Sequence, residues 1–590
     1  MVRPSIRAAA LTFWLLGGSA CVGELTRDEP DDPTAGSGDD AIPETIRLDP
    51  GFEAEISAIG WHPQEPAAGL DRVQGDGAAP PPALAAPPQD ARSPWGGLAQ
   101  SGLGTTATGF FHIERPPGAE RVWLVDPDGD PFWAAGINTV LRTASTPDIE
   151  AYLRRLPDFA EVARIEWNRL SMVDADGLGF NSTPAFSETN DLAPGPSPLV
   201  ARAPHGIRLR VSVDRGEPFV MKSAGGTILG DGDTIAILGD PFNPAYRALL
   251  AARWATQVRP ADRFLMVYWL DNEIGLFDWP LHHQPGTVDM RRWIWSDCPA
   301  GSSLDAPACA PHALGRFLRD RYGDPGALSA AWGRSFDSFD AVLAARPTPG
   351  SQDATRRCDG ACEQDLQRFQ RVLWRAWVKL WTQLVRELDP NHLVGSPRMA
   401  IAHPGLYCFW GIDGCIARFI DGRRVHAGDD VAYSPFALFR RNGPYGFDVI
   451  GVNAYSRPDQ KGYDQPWLTR GFHEMIHESG LPIWVSEFGV RARIDGWTNR
   501  GGAPSFVPDA EPARAQELRG EFYQHDMAQF ARFRGVVGAS FHRWADHYTA
   551  ADQHNAGIAH RNGELWDLFT PAVRAWNRSL YARIAQLTGW

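Results

Sequence analysis

The sequence predicts an α/β fold: a closed (β/α)8 TIM barrel with an N-terminal β-hairpin and long loops at one rim. Three observations predict it. From about residue 108 onward, short apolar runs alternate with long helical patterns. The apolar runs reach eight, the count that closes a parallel barrel. Several of them stop at the same kind of polar residue, as strands do where a barrel presents its C-terminal rim. An open doubly wound sheet shares the alternation. No G-x-G-x-x-G follows a strand, so a dinucleotide-binding version of that sheet has no support.

The elements follow in order. Residues 1–21 read as an export signal: Arg3 and Arg7, then the apolar "AAALTFWLL" (8–16), too short to span a bilayer, then "GGSAC" (17–21). Small residues before Cys21 resemble a bacterial lipobox, which would lipidate Cys21 and leave a membrane anchor; cleavage after Ala20 is the alternative. Residues 22–104 are rich in Pro, Gly, Ala and Asp and read as a mostly disordered linker, because such a composition buries too little apolar surface to offset chain entropy. The main domain is expected at 105–590. It opens on a hairpin, with Asp128-Gly129 as the turn; Asp126 to Asp130 has the look of a calcium loop but lacks the downstream Glu. Strands are expected at 132–137, 178–181, 207–213, 264–270, 393–397, 448–453, 483–486 and 536–543. Helices are expected at 148–173, 243–257, 365–388 and 513–533.

A net charge of −14 over 590 residues, with no basic run of five, argues against a nucleic-acid partner. After residue 21 no segment reaches the roughly 18 apolar residues of a membrane helix. Setting Cys21 aside, six cysteines fall into three close pairs, Cys298 with Cys309, Cys358 with Cys362, and Cys408 with Cys415. In an exported chain that pattern suggests three disulfides; a zinc site competes, without a C-x-x-C knuckle to favour it.

The chemistry lies where the strands end. The 264–270 run stops at Asp271-Asn272-Glu273 and the 483–486 run at Ser486-Glu487, while others stop at Asn138, Asn181 and Asn453-Ala454-Tyr455. Asn and Asp also favour turns, which accounts for one or two such ends but not five on one rim. Two carboxylates on one rim are the minimal equipment for cleaving a glycosidic bond: one protonates the leaving oxygen, the other attacks or activates water. No cofactor or metal is called for.

In this arrangement the chain resembles the retaining glycoside hydrolases of clan A. Most closely it looks like their β-agarase-type members, through "GFFHIERPPGAERVWLVDPDGDPFWAAGIN", "WLDNEIG", "LRDRYGDPGALSAAWGRSFDSFDAV", "LDPNHLVGSPR" and "WVSEFGVRA", in that order over roughly 108–575. The resemblance implies that Glu273 is the acid/base, Glu487 the nucleophile and Asn272 a ligand of the sugar 2-hydroxyl. It implies that Tyr455 hydrogen-bonds the nucleophile and that Trp544 floors the subsite. Asn138, Asn181, Asn453 and Arg398 join the expected substrate-binding set, and the expected partner is a β-linked carbohydrate. Trp544-Ala545-Asp546-His547 departs from the agarase-like Trp-x-Asp-Gln, and Pro397 interrupts the usual approach to Arg398, so agarose itself is in doubt. Part of the 23 Trp is expected at sugar subsites and the rest in packing.

Two other functions compete. "HEMIHESG" contains the zincin signature H-E-x-x-H in His473, Glu474 and His477. A third ligand would fall at residue 483, which is Ile, and the segment reads equally as an outer helix ended by Gly480 and Pro482. A catalytically inactive surface glycan-binding lipoprotein is the other; retention of both Glu273 and Glu487 argues against it.

Overall fold

The structure is a computed structural model. It describes residues 90–140, 159–187, 202–228, 237–272, 294–402, 438–455, 479–495, 510–548, 553–560 and 562–588, with a few isolated positions between 472 and 507. The chain divides into the units Met1–Glu44 and Thr45–Trp590, and every described residue lies in the second. The export signal with Cys21 and most of the linker therefore lie outside the described residues. So do Glu273, Cys408 and Cys415, and His473, Glu474 and His477.

A three-stranded antiparallel sheet comes first, β1 (His112–Glu114), β2 (Trp123–Val125) and β3 (Pro131–Phe132). Its β2–β3 turn is the expected one: Gly129 has a left-handed φ of 98°, and the Asp126 carboxylate accepts the N–H groups of Asp128 (3.1 Å) and Asp130 (3.0 Å). Asp126 also accepts the Ser93 hydroxyl at 2.6 Å, and Asp90 accepts the backbone N–H groups of Tyr581 and Ala582 at the start of a C-terminal helix. Residues 90–104, which composition assigns to the linker, are thus docked on the domain. Asp90 supplies acceptors that a helix start otherwise lacks.

Next come β4 (Ala134–Ile137), α1 (Phe159–Leu170), β5 (His205–Leu209), α2 (Pro244–Ala255) and β6 (Leu265–Leu270). In the segment after β6 lie α3 (Ala310–Tyr322), α4 (Pro325–Trp332), α5 (Phe339–Ala345) and the short pair β7 (Thr348–Pro349) and β8 (Arg357–Cys358). The long α6 (Ala361–Leu388) leads to β9 (Leu393–Gly395), β10 (Met399–Ala402), β11 (Ile450–Tyr455) and β12 (Ile483–Phe488). The chain closes with α7 (Pro512–Arg532), β13 (Val536–Phe541), β14 (His547–Tyr548), β15 (Gln553–His554), α8 (Thr570–Asn577) and α9 (Leu580–Thr588). Local sequence explains the helix starts: Asn243 caps α2 ahead of Pro244, Asp324 caps α4 ahead of Pro325, and Ser338 caps α5.

Two parallel sheets form the interior, β10-β11-β12-β13-β4 and β5-β6-β9. Parallel bridges join their margins: Gly136 with Ser182, Thr183 with His205, Gly395 with Val449, and Asn272 with Arg398. The strand expected at 178–181 therefore pairs slightly later, at Ser182 and Thr183. The one expected at 393–397 is two pieces, because Pro397 has no N–H to offer a ladder.

Trp269 on β6 and Trp484 on β12 meet edge to face, centroids 5.5 Å apart, and are fully buried. The neighbours make room by having no side chain: a Cβ on Gly395 would lie 2.3 Å from the Trp269 ring and one on Gly451 2.7 Å from it. Trp123, Trp133, Trp254, Trp377 and Trp381 are fully buried as well, so packing takes many of the tryptophans.

Disulfides join Cys298 to Cys309, where α3 begins, and Cys358 to Cys362, at the start of α6. These are two of the three expected pairings. The third, Cys408 with Cys415, lies outside the described residues, so its pairing stays an expectation from the spacing of the two cysteines. Loops as short as the two observed ones remove little chain entropy, about 2–3 kcal/mol each.

Two buried acids give the stability a pH signature. Asp240 accepts the Ser296 hydroxyl and the N–H groups of Ala310 and Phe242; Asp546 accepts from Asn555, Gly557 and Trp566. Burial pushes both carboxyls up to about 6 against those hydrogen bonds. Between the ordinary carboxylate value near 4 and this one, the folded state binds the proton more tightly than the unfolded chain. Their contribution is therefore full below pH ~4 and is lost as pH rises through ~6, on the order of 1–3 kcal/mol each. Urea midpoints at pH 4.5 and 7 should differ less in Asp546→Asn than in the wild-type protein; an unchanged pH difference would contradict the assignment.

Candidate active site

β12 brings Glu487 to its C-terminal end, 5% exposed. Tyr455, the last residue of the neighbouring β11, donates its hydroxyl to Glu487 Oε2 at 2.6 Å. Arg398, just ahead of β10, places Nη1 3.2 Å from Oε1. One carboxylate oxygen thus accepts a hydrogen bond and the other faces a cation in an ion pair, which together restrict the side-chain orientation. The Arg398 guanidinium also lies 4.1 Å from the Phe186 ring centroid. Arg398 is fully buried, and a cation so placed needs a bonded anion.

A second set of polar side chains ties the strand ends together. Asn138, directly after β4, donates from Nδ2 to the Ser486 carbonyl at 2.8 Å. Ser486 Oγ donates to Asn453 Oδ1 at 2.7 Å, and Asn453 Nδ2 donates to Asn272 Oδ1 at 3.2 Å. Asn138, Ser486, Asn453 and Asn272 come from the ends of β4, β12, β11 and β6, so four strands share one chain of hydrogen bonds. Asn138, Asn453 and Ser486 are at most 1% exposed, and Asn272 is partly exposed.

The acid-rich end of β6 divides its labour. Asp271 takes a left-handed backbone (φ 70°), a conformation that Asp tolerates better than most residues. Its carboxylate accepts the N–H groups of Val211 (3.0 Å) and Ser212 (3.2 Å) from the chain beyond β5, and that of Asn272 (3.1 Å). Asp271 is therefore a corner piece that turns the chain and leaves Asn272 at the rim. Thr139 (φ 64°) and Phe186 (φ 50°) are turned in the same way after neighbouring strand ends. Such backbone strain on non-glycine residues clusters at functional rims.

Two expected substrate ligands have side chains directed to protein partners. Asn181 bonds protein on every side: Nδ2 to the carbonyls of Trp133 (2.9 Å) and Gly96 (3.3 Å), Oδ1 from Ala135 N–H (2.9 Å) and the Ser182 hydroxyl (3.3 Å). It secures the start of β4. Trp544 is 1% exposed, and its indole N–H donates to Glu166 on α1 at 3.2 Å, so the described geometry leaves it no open face for a sugar ring. Sequence reading named Asp271 and Ser486 at strand ends without a role for either, and did not name Phe186. Ser486 had a signal, being the residue immediately before Glu487; Phe186 had none.

The His/Cys/Asp/Glu group with metal-like spacing among the described residues is Cys298, Cys309 and His312. Both sulfurs are in the disulfide and His312 Nδ1 is 2.6 Å from Ser302 Oγ, so no thiolate is offered there. Ile483, where a metzincin's third ligand would stand, is a buried residue of β12, and Gly480 carries the left-handed φ of 67° that ends a helix.

No protein-family model matches this sequence. No curated protein matches it either. Among solved structures, the chain is similar in fold to the agarase AgWH50C (18% identity, TM-score 0.56), over 84% of this chain and 68% of that one. It is similar to PfGH50B (16%, 0.56), over 84% and 69%, and to an exo-beta-agarase (16%, 0.56), over 85% and 69%. At these identities the likeness is one of fold.

Proposed function

We propose that the chain, which shares its fold with agarase structures, is a retaining glycoside hydrolase that cleaves β-linked polysaccharide or oligosaccharide. The observation that carries this reading is Glu487, a buried carboxylate at a strand end held by Tyr455 and Arg398. We take residues 105–590 as the catalytic domain, with 90–104 docked on it. We take the two parallel sheets as one closed (β/α)8 barrel. In support, parallel pairs or bridges run from β4 through Ser182-Thr183, β5, β6, β9, β11, β12 and β13 back to β4.

In this reading Glu487 attacks the anomeric carbon while the glycosidic C–O bond breaks. Glu273, which follows Asn272 in the chain, gives its proton to the leaving oxygen. Glu273 then takes a proton from water, which attacks the same carbon and releases Glu487. Asn272, braced by Asn453, would meet the sugar 2-hydroxyl. Direct attack requires the two carboxyl groups to stand ~5–5.5 Å apart, whereas an inverting pair would need ~6.5–9.5 Å. Proton NMR of the first-formed product from a β-linked substrate is expected to show the β-anomer; an initial α-anomer would overturn the retaining assignment. A panel of galactans, glucans, mannans and xylans identifies the sugar, with a β-galactan such as agarose one member.

A further inference from the structure

We propose that Ser486 is a positioning residue: acting through Asn453, it turns the Asn272 amide so that its N–H groups face the substrate, and so sets how strongly the sugar 2-hydroxyl is recognised. The inference rests on the glycosidase reading and deepens it.

The register of β12 slips beside the carboxylate. Between β11 and β12, Val452 pairs with Val485 but Asn453 pairs with Glu487; between β12 and β13, Val485 pairs with Ala539 but Phe488 pairs with Phe541. Against either neighbour, β12 carries one extra residue between Val485 and Phe488, which is a bulge. In a regular strand Ser486 and Glu487 would point to opposite faces. Here both meet the same face of β11. Ser486 Oγ donates to Asn453 at 2.7 Å and Tyr455 donates to Glu487 at 2.6 Å, and Asn453 and Tyr455 are two apart on that strand. The bulge thus brings a hydroxyl to the side that carries the carboxylate. Asn138 Nδ2 secures it by donating to the Ser486 carbonyl at 2.8 Å.

A primary amide has nearly the same shape either way round, so its hydrogen bonds decide which end faces where. Ser486 gives its proton to Asn453 Oδ1, which leaves Asn453 Nδ2 to donate to Asn272 Oδ1 at 3.2 Å. The Asn272 carbonyl is therefore turned inward, and Nδ2 is the end away from Asn453. Asn453 is fully buried and Asn272 partly exposed, so the end offered to the rim is a donor. A sugar hydroxyl accepts from such a donor and keeps its own hydrogen for another partner. Without the Ser486 hydroxyl, Asn453 can take either orientation, and the end that Asn272 offers follows it.

The test compares aryl β-glycosides with their 2-deoxy counterparts and takes the ratio of the two kcat/KM values for each protein. The intrinsic reactivity of the deoxy sugar cancels when ratios are compared between proteins. Ser486→Ala is expected to lower the ratio about tenfold, the scale of one hydrogen bond, and Ser486→Thr, which keeps a hydroxyl, to restore it. Ser486→Cys, a poor donor, makes the same cut where the alanine variant does not fold. Asn272→Ala should lower the ratio at least as far, and adding Ser486→Ala to it should lower the ratio no further, because both act through one amide. A merely structural serine would slow both substrates alike. A ratio unmoved by the loss of the hydroxyl, or lowered again in the Asn272→Ala background, overturns the inference and leaves the glycosidase reading standing. If the wild-type protein turns over neither sugar, calorimetric titration of the same pairs reads the ratio in Kd. A preference for the 2-hydroxyl that is lost in Ser486→Ala then supports the positioning role while the glycosidase reading falls; no preference overturns both.

Discussion

Glu487→Gly is expected to lower turnover of a β-glycoside by about 10⁴-fold or more, a loss of about 5.4 kcal/mol in transition-state stabilisation. The carboxylate is held at the rim by both a hydroxyl and a guanidinium. Removing it leaves a gap between Tyr455 Oη and Arg398 Nη1 shaped for a small anion. Added azide should enter from that side and give the α-azide as product. Deleting the carboxylate also strands Arg398, and breaking a buried ion pair costs about 3–5 kcal/mol of stability, so loss of folding has to be separated from loss of chemistry. Glu487→Gln keeps the volume and an acceptor for Tyr455. Circular dichroism and single-turnover rates on both variants settle which was lost. Residual activity within tenfold of wild type in a folded Gln variant removes Glu487 from the nucleophile role.

Glu273→Ala should behave differently, because an acid matters in proportion to how poor the leaving group is. Positioned proton transfer contributes about 10²–10⁴-fold, so cleavage of an oligosaccharide should fall by about 10³-fold. A 2,4-dinitrophenyl glycoside departs without a proton and its first step should be nearly spared. With the base also gone from the second step, azide should speed release of the glycosyl enzyme and yield the β-azide. Steady-state and burst kinetics across leaving groups check this. A uniform loss over the whole series would mean that Glu273 binds or folds rather than protonates.

Much of this was legible in the chain. The runs 264–270, 483–485 and 536–539 carry no charged residue and are mostly apolar, and β6, β12 and β13 fall on the expected strands 264–270, 483–486 and 536–543 with ends shifted by no more than two residues. Strands buried on both faces leave such a signature, and the polar residue that stops each one marks the rim. The strand near 180 was less legible because its pairing is reduced to bridges at Ser182 and Thr183. The helices α3, α4 and α5 were not foreseen: they are short, and capping rather than a long apolar stripe defines α4 and α5. Tyr455 donates to Glu487, while Asn181 and Trp544 are turned to protein partners that no local pattern announces. Which side a rim side chain faces is decided by its tertiary neighbours. Periodicity gives only the face of the strand.

The bulk of Trp269, set against Gly395 and Gly451, has a historical consequence. A methyl group at either glycine would sit inside van der Waals contact with the ring, so neither position can drift while the indole is present. The reverse step is open in principle, since a smaller residue at 269 leaves a void that added side chains on the facing strands can fill. Descent through these positions is therefore ordered: the large residue must yield first, and the glycines can only follow. Three sites far apart in the chain are inherited as one, and the rim that carries Glu487 travels with them.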